Sequence, residues 1–146
     1  MKEIYTEIRI NASPSIVWDI ITDFVNYRKW NPFIMEISGI PKVGSEIYVF
    51  IKPPNSDGMK FKPKILKFDP ENEIKWLGKL WIPKLFDGEH SLIIKKIDED
   101  NVLFIQKERF QGLLVPLFSN MLNDTKSGFQ MMNQKLKQEA EKKMYK

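Results

Sequence analysis

Apolar residues recur along this chain with two different periods, and the switches between them mark its elements. Ile4, Thr6, Ile8 and Ile10 alternate with charged or polar positions. That period of 2 predicts a half-buried strand. Asn11-Ala12-Ser13-Pro14 interrupts it. Ser13 suits a helix N-cap, and Pro14 suits the first helical position, where no N–H is needed. Ile16, Val17, Ile20, Ile21 and Phe24 then fall at helical spacing, with Trp18 on one flank, which predicts a helix over about residues 14–24. Asn26 to Pro32 holds a second short helix or turn, and Asn31, preceding a proline, is biased away from helical geometry.

From residue 36 to 110 the pattern is that of strands. Ile47, Val49 and Ile51 alternate with Glu46, Tyr48 and Phe50, and Pro53 to Gly58 is a turn or loop. Met59, Phe61, Pro63 and Ile65 share one parity of the next strand. Asp69 to Asn72 is a turn, and Glu73 to Leu80 is a strand with Ile74, Trp76 and Gly78 on one face. Residues 81–88 form a loop, and strands follow over Glu89–Ile97 and Val102–Phe110 around an Asp98–Asn101 turn. The helical period returns near Val115-Pro116. Leu117, Phe118, Met121, Leu122, Thr125, Phe129, Met132, Leu136, Ala140 and Met144 predict an amphipathic helix of about 25–28 residues, with Gly128 inside it.

This order predicts an α+β domain: a strand, two short helices, a run of antiparallel strands, and one long C-terminal helix. A sheet of about six or seven strands must cover its apolar face. Only the last helix is long enough to do so. A twisted sheet curling around one helix leaves a tapered space between them, the origin of a cavity. The length of 146 residues fits one domain spanning residues 1–146. Aromatics make up 12% of the chain, enough to line a cavity or to fill a dense core.

Composition removes several classes of function. Without cysteine there is no disulfide, thiolate metal site or Cys nucleophile. The N-terminus is charged from Lys2, so no signal peptide is expected, and no apolar run approaches the roughly 20 residues of a membrane span. Cytoplasmic residence is the expectation. The net charge is +4, but the lysines are scattered among carboxylates and the only arginines are Arg9, Arg28 and Arg109. That is a solvated surface rather than a phosphate-tracking one, so nucleic acid is not an expected partner.

Candidate chemistry centres on His90, the single histidine. It shares strand parity with Leu92 and Ile94. Across the hairpin Phe104, Gln106, Glu108 and Phe110 share one parity. If both sets face the interior, His90, Gln106 and Glu108 form a polar group in an apolar hollow lined by Trp76, Leu92, Phe104, Phe110, Met121 and Phe129. Three roles stay open: a buried structural network, orientation of a ligand, or acid–base work by a histidine with a neighbouring carboxylate. Asp87-Gly88-Glu89 offers two carboxylates without further ligands, so a tight turn is expected there and no metal. Trp30 is core or cavity rim. Residues 53–58 and 80–86 are candidate mobile loops. Trp81, Ile82, Leu85 and Phe86 in the second either cover the sheet end or form a gate that touches a membrane transiently.

Several local strings carry a family resemblance. Tyr27-Arg28-Lys29-Trp30-Asn31-Pro32-Phe33, Pro41-Lys42-Val43-Gly44, Asp69-Pro70 with Glu73 to Gly78, Phe86 to His90, and Gln106 to Leu114 resemble, in order and spacing, segments of the START-like or SRPBCC superfamily. They look like the group often called polyketide cyclase/dehydrase and lipid-transport proteins, over about residues 3 to 140. The resemblance implies a helix-grip fold and an apolar small-molecule ligand, lipid-like or aromatic, with no cofactor. It leaves open binding, transport or sensing, a cyclase- or dehydratase-like enzyme using His90 and Glu108, and a co-chaperone-like interaction module. The iron-dependent oxygenase branch needs two histidines and a carboxylate, which one histidine cannot supply.

Overall fold

The computed structural model describes residues 2–79 and 87–145. The elements are β1 (Lys2–Ile10), α1 (Pro14–Thr22), α2 (Tyr27–Trp30), β2 (Ile34–Ser38), β3 (Tyr48–Ile51), β4 (Met59–Phe61), β5 (Lys64–Asp69), β6 (Glu73–Lys79), β7 (Asp87–Asp98), β8 (Asn101–Gln111) and α3 (Ser119–Met144). Single 3-10 turns lie at Phe24–Asn26 and Val115–Phe118. Ser13 caps α1 as expected, its hydroxyl accepting from the Ile16 N–H.

The strands are antiparallel, in the orders β1-β8-β7-β6-β5 and β2-β3-β4. The two ladders are continuous with each other. Glu46 bridges Lys64, and the Ile47 N–H donates to the Pro63 carbonyl just where β4 gives way to β5. The single strand expected through Met59 to Ile65 is therefore broken in two. Pro63 has no N–H to give the ladder, and its ring fixes φ, so regular pairing stops for two residues and resumes at Lys64. Counted as one broken strand, β4 and β5 complete a curved sheet with seven strand positions.

Helix α3 fills the concave side, and Leu122, Phe129, Met132, Leu136 and Ala140 along it are buried. Burying each large side chain contributes roughly 1.5–3 kcal/mol, so the helix is held by its stripe rather than by its polar propensity. Leu117, counted in that stripe from its spacing, is instead 75% exposed, because the 3-10 turn at Val115–Phe118 rotates it off the helical phase.

Three successive turns of α3 are also tied to β1 and the residue after it. Asn133 donates to Thr6 Oγ1, Lys137 Nζ donates to the Arg9 carbonyl, and Glu141 accepts from the Asn11 N–H. Gly128 lets the Phe33 ring lie directly on the helix backbone, where a Cβ would collide with it. Phe33 in turn meets Phe129 edge-on, centroids 5.3 Å apart. The arrangement is the helix-grip fold.

Candidate functional site

The ladder register sets one row of side chains across the middle of the sheet. Trp76 on β6 pairs with His90 on β7, and His90 pairs with Glu108 on β8. Directly opposed residues share a face, so all three point toward α3. The His90 ring is tilted against Trp76 at 5.0 Å and stacked on Phe129 of α3 at 4.8 Å, with 22° between the planes. Its Nδ1 lies 3.8 Å from Glu108 Oε1, beyond hydrogen-bonding reach. Gly88, one step along β7, makes room for the Glu108 carboxyl: a Cβ there would overlap Oε2.

The far side of His90 is held by a directional polar chain. The Thr6 hydroxyl has one proton and donates it to the Gln106 carbonyl, 2.8 Å away. Thr6 Oγ1 must therefore accept from Asn133 Nδ2, at 2.9 Å. That turns Asn133 Oδ1 to Gln106 Nε2, at 2.8 Å, and so turns Gln106 Oε1 to His90 Nε2, at 2.9 Å. Each amide has its orientation decided by the link before it. The outcome is that His90 carries its proton on Nε2 and keeps the Nδ1 lone pair on the side facing Glu108. The linked atoms of Thr6, Asn133 and Gln106 each have a partner, the condition under which buried networks persist.

Both titratable groups of the pair resist charge. Burial lowers His90 from its ordinary 6.5 to about 4, partly opposed by its bond to Gln106. Burial raises Glu108 from its ordinary 4.5 to about 8. At neutral pH the pair is thus a neutral imidazole beside a carboxylic acid rather than an ion pair. Burial thus favours Glu108 as a hydrogen-bond donor, and the polar chain leaves His90 Nδ1 an acceptor.

Both groups open onto a hollow enclosed by Phe33 before β2, Ile51 of β3, Pro53 and Ser56 of the following loop, Met59 and Phe61 of β4, Phe110 of β8, and Met121 and Thr125 of α3. Its volume is about 40 Å³, close to the ~30 Å³ share of one water in the liquid. Small-molecule pockets reach roughly 300–1,000 Å³. An occupant larger than a water or two therefore needs outward movement of the walls. Met59 and Met121 are unbranched and adaptable enough to give it. Thr125 commits its proton to the Met121 carbonyl, and Ser56 Oγ accepts from the Gly58 N–H. No Lys or Arg lines the hollow among the described residues.

Of the residues singled out from sequence, His90, Glu108, Phe110 and Met121 line the hollow. Trp76, Leu92, Phe104, Gln106 and Phe129 do not. Each is at most 1% exposed and packs behind the wall, against α3 or the polar chain. Strand parity reports which face a side chain is on, but not how deep the covering helix buries it. Trp30 is half-buried against Tyr27, with centroids 5.3 Å apart, and does not reach the hollow. Asp87-Gly88-Glu89 is the start of β7, not a turn, because Gly88 pairs with Gly78 on one side and Phe110 on the other. Among the described residues no cluster of three His, Cys, Asp or Glu could hold a metal. The membrane contact expected of residues 80–86 lies outside the described residues, and no described helix is long and apolar enough to cross a membrane.

Thr6 and Asn133 were not anticipated as parts of the site. Their signal is present in the chain: each interrupts an apolar stripe, Thr6 between Ile4 and Ile8, Asn133 beside Phe129, Met132 and Leu136. A polar residue on a buried face needs a partner. Which partner it finds depends on the fold.

A curved sheet gripping one long helix is the architecture of START-like domains. The sequence matches the family described as polyketide cyclase / dehydrase and lipid transport over residues 1–141, and the chain belongs to it. No curated protein matches it. Among solved structures it is similar to the Zhui aromatase/cyclase from Streptomyces sp. R1128, with TM-score 0.79 and 11% identity over 98% of this chain and 95% of that one. A START superfamily protein from Mycobacterium smegmatis aligns with TM-score 0.71 and 15% identity over 93% and 97% of the two chains. Norcoclaurine synthase from Thalictrum flavum, solved with dopamine and hydroxybenzaldehyde, aligns with TM-score 0.68 and 15% identity over 94% and 84%. At these identities the likeness is one of fold.

Proposed function

We propose that this protein binds a small hydrophobic molecule, reversibly and without covalent chemistry, in the hollow between the sheet and α3. One observation carries the reading: a lining of Phe33, Ile51, Phe61, Phe110 and two methionines surrounds the titratable pair His90 and Glu108, with the Ser56 and Thr125 hydroxyls the other polar groups. An apolar pocket with a few convergent polar groups is how proteins bind and orient such ligands. The affinity comes from desolvation of the ligand's apolar surface, at roughly 25 cal/mol per Å² before the cost of opening the walls. The fold shared with a norcoclaurine synthase that holds two small aromatic molecules supports an aromatic occupant.

The test is native mass spectrometry of protein purified without detergent, followed by calorimetric titration with a panel of uncharged aromatic and isoprenoid compounds. A co-purifying small molecule, or saturable binding that is lost in Met121→Trp, supports the reading. A bare mass together with no saturable binding across the panel counts against it.

A second reading is an enzyme of the cyclase or dehydratase type. It is favoured by the juxtaposition of a neutral carboxylic acid and an imidazole lone pair, the two protonation states that acid–base catalysis needs. Turnover of a polyketide-type substrate would then fall as pH rises through about 8, as Glu108 loses its proton. A rate insensitive to Glu108→Gln sinks this version.

A further inference from the structure

We propose that the occupant of the hollow is an uncharged molecule with an apolar body and one hydroxyl group, and that the hydroxyl oxygen seats between the Glu108 carboxyl and His90 Nδ1. This rests on the ligand-binding reading above and names the class of ligand.

The two groups are complementary to a hydroxyl and to little else. His90 Nε2–H is committed to Gln106, so Nδ1 presents only a lone pair. Among the described residues the Glu108 carboxyl makes no hydrogen bond, and His90 Nδ1 lies 3.8 Å from it. One atom that both donates and accepts satisfies the pair. An oxygen about 2.8 Å from each partner subtends an angle of roughly 85° across the 3.8 Å gap, open enough for one bond in and one out. The Glu108 O–H donates to the ligand oxygen, and the ligand O–H donates to Nδ1.

Other head groups leave a mismatch. An ether or ketone accepts from Glu108 but gives Nδ1 nothing. A carboxylate or phosphate meets no cation, since no Lys or Arg is among the described lining residues, and an unpaired buried anion is strongly disfavoured. An ammonium requires Glu108 to ionise inside a wall that burial keeps neutral. Thr125 and Ser56 do not alter this choice. The first spends its proton on the Met121 carbonyl; the second accepts from the Gly58 N–H, and its own O–H, a neutral donor, pairs no ionic charge. Among the described residues the groups facing Glu108 from its neighbours are His90 on β7 and Ile4 on β1, with Thr125 and Met121 of α3 across the hollow, and of these only His90 is titratable.

The probes are 2-naphthol, naphthalene, 2-methoxynaphthalene, 2-naphthoate and 2-naphthylmethylammonium, titrated calorimetrically into the whole protein at about pH 6.5, where a phenol is uncharged. The expected result is that 2-naphthol binds roughly tenfold or more tightly than naphthalene or the methyl ether, and that both ions bind more weakly than naphthalene. In Glu108→Leu naphthalene still binds and the advantage of naphthol disappears. Should that variant not fold, the wild-type ranking decides alone. If naphthalene binds and naphthol binds no better, or either ion binds best, the hydroxyl assignment is overturned while hydrophobic binding stands. If no naphthalene probe binds, the hydroxyl assignment falls, and the hydrophobic-binding reading is decided by the native mass and the wider panel.

Discussion

His90 and Glu108 oppose each other across the β7–β8 ladder with Nδ1 and Oε1 3.8 Å apart, yet they do not form an ion pair. Burial holds the imidazole and the carboxyl neutral together. That has consequences for stability as well as for binding.

Glu108 makes stability depend on pH in a defined direction. Its folded-state pKa of about 8 lies above the ordinary 4.5, so between these values the unfolded chain releases a proton that the native state keeps. Stability present at low pH is lost progressively as pH rises toward 8. His90 works the opposite way between about 4 and 6.5, because there the unfolded chain binds the proton that the native ring refuses. The two trends offset each other below about 6.5, and the net fall appears from about 6.5 to 8. Urea unfolding across that window should show a loss on the order of a few kcal/mol in the wild type and a flat profile in Glu108→Gln.

Asn133→Ala removes the middle of the polar chain. Gln106 Nε2 loses its 2.8 Å acceptor, and Thr6 Oγ1 loses its 2.9 Å donor, both in the buried interior. A buried group left without its partner costs about 1–3 kcal/mol. Chemical denaturation should show at least that loss. A neutral result would mean that water replaces the amide.

Gly128→Ala inverts the usual rule for helices. Alanine in place of a helix-interior glycine ordinarily stabilises by roughly 1 kcal/mol. Here the new methyl group enters the space of the Phe33 ring, itself fully buried and packed on Phe129. The substitution is expected to lower the melting temperature, and adding Phe33→Leu should recover part of the loss. A rise in melting temperature for Gly128→Ala alone would falsify the packing account.

Met121→Trp tests whether the small hollow is where binding begins. Met121 is partly exposed and borders the 40 Å³ space, so a larger ring can occupy it without displacing the deep core. Folding stability should fall by about 1–3 kcal/mol, the range for adding bulk to a packed site. Binding of naphthalene-sized probes, read by titration, should be lost.

Much of the architecture is legible in the chain because it is written in periodicity. The alternation in Ile4–Ile10, the Ser13-Pro14 cap and the 3- and 4-residue spacing of α3 are local patterns, and local physics enforces them. The shared parity of His90 with Leu92, and of Gln106 with Glu108, likewise foretold which side chains face α3. The break at Pro63 was not read from the strand pattern: the missing N–H is a local fact, but its effect on pairing depended on the Ile47 partner.

What the sequence by itself determined is the set of faces: which residues look inward from each strand and from the long helix, and that the sole histidine is among them. Only the tertiary structure decided depth and partnership. It placed Trp76, Phe104 and Phe129 behind the wall while leaving Glu108 and Met121 on it, and it joined Thr6 to Asn133 across 127 residues of chain. Periodicity is a property of one element. A hydrogen-bond direction, a histidine tautomer and a 40 Å³ space are set by atoms of several elements meeting at once.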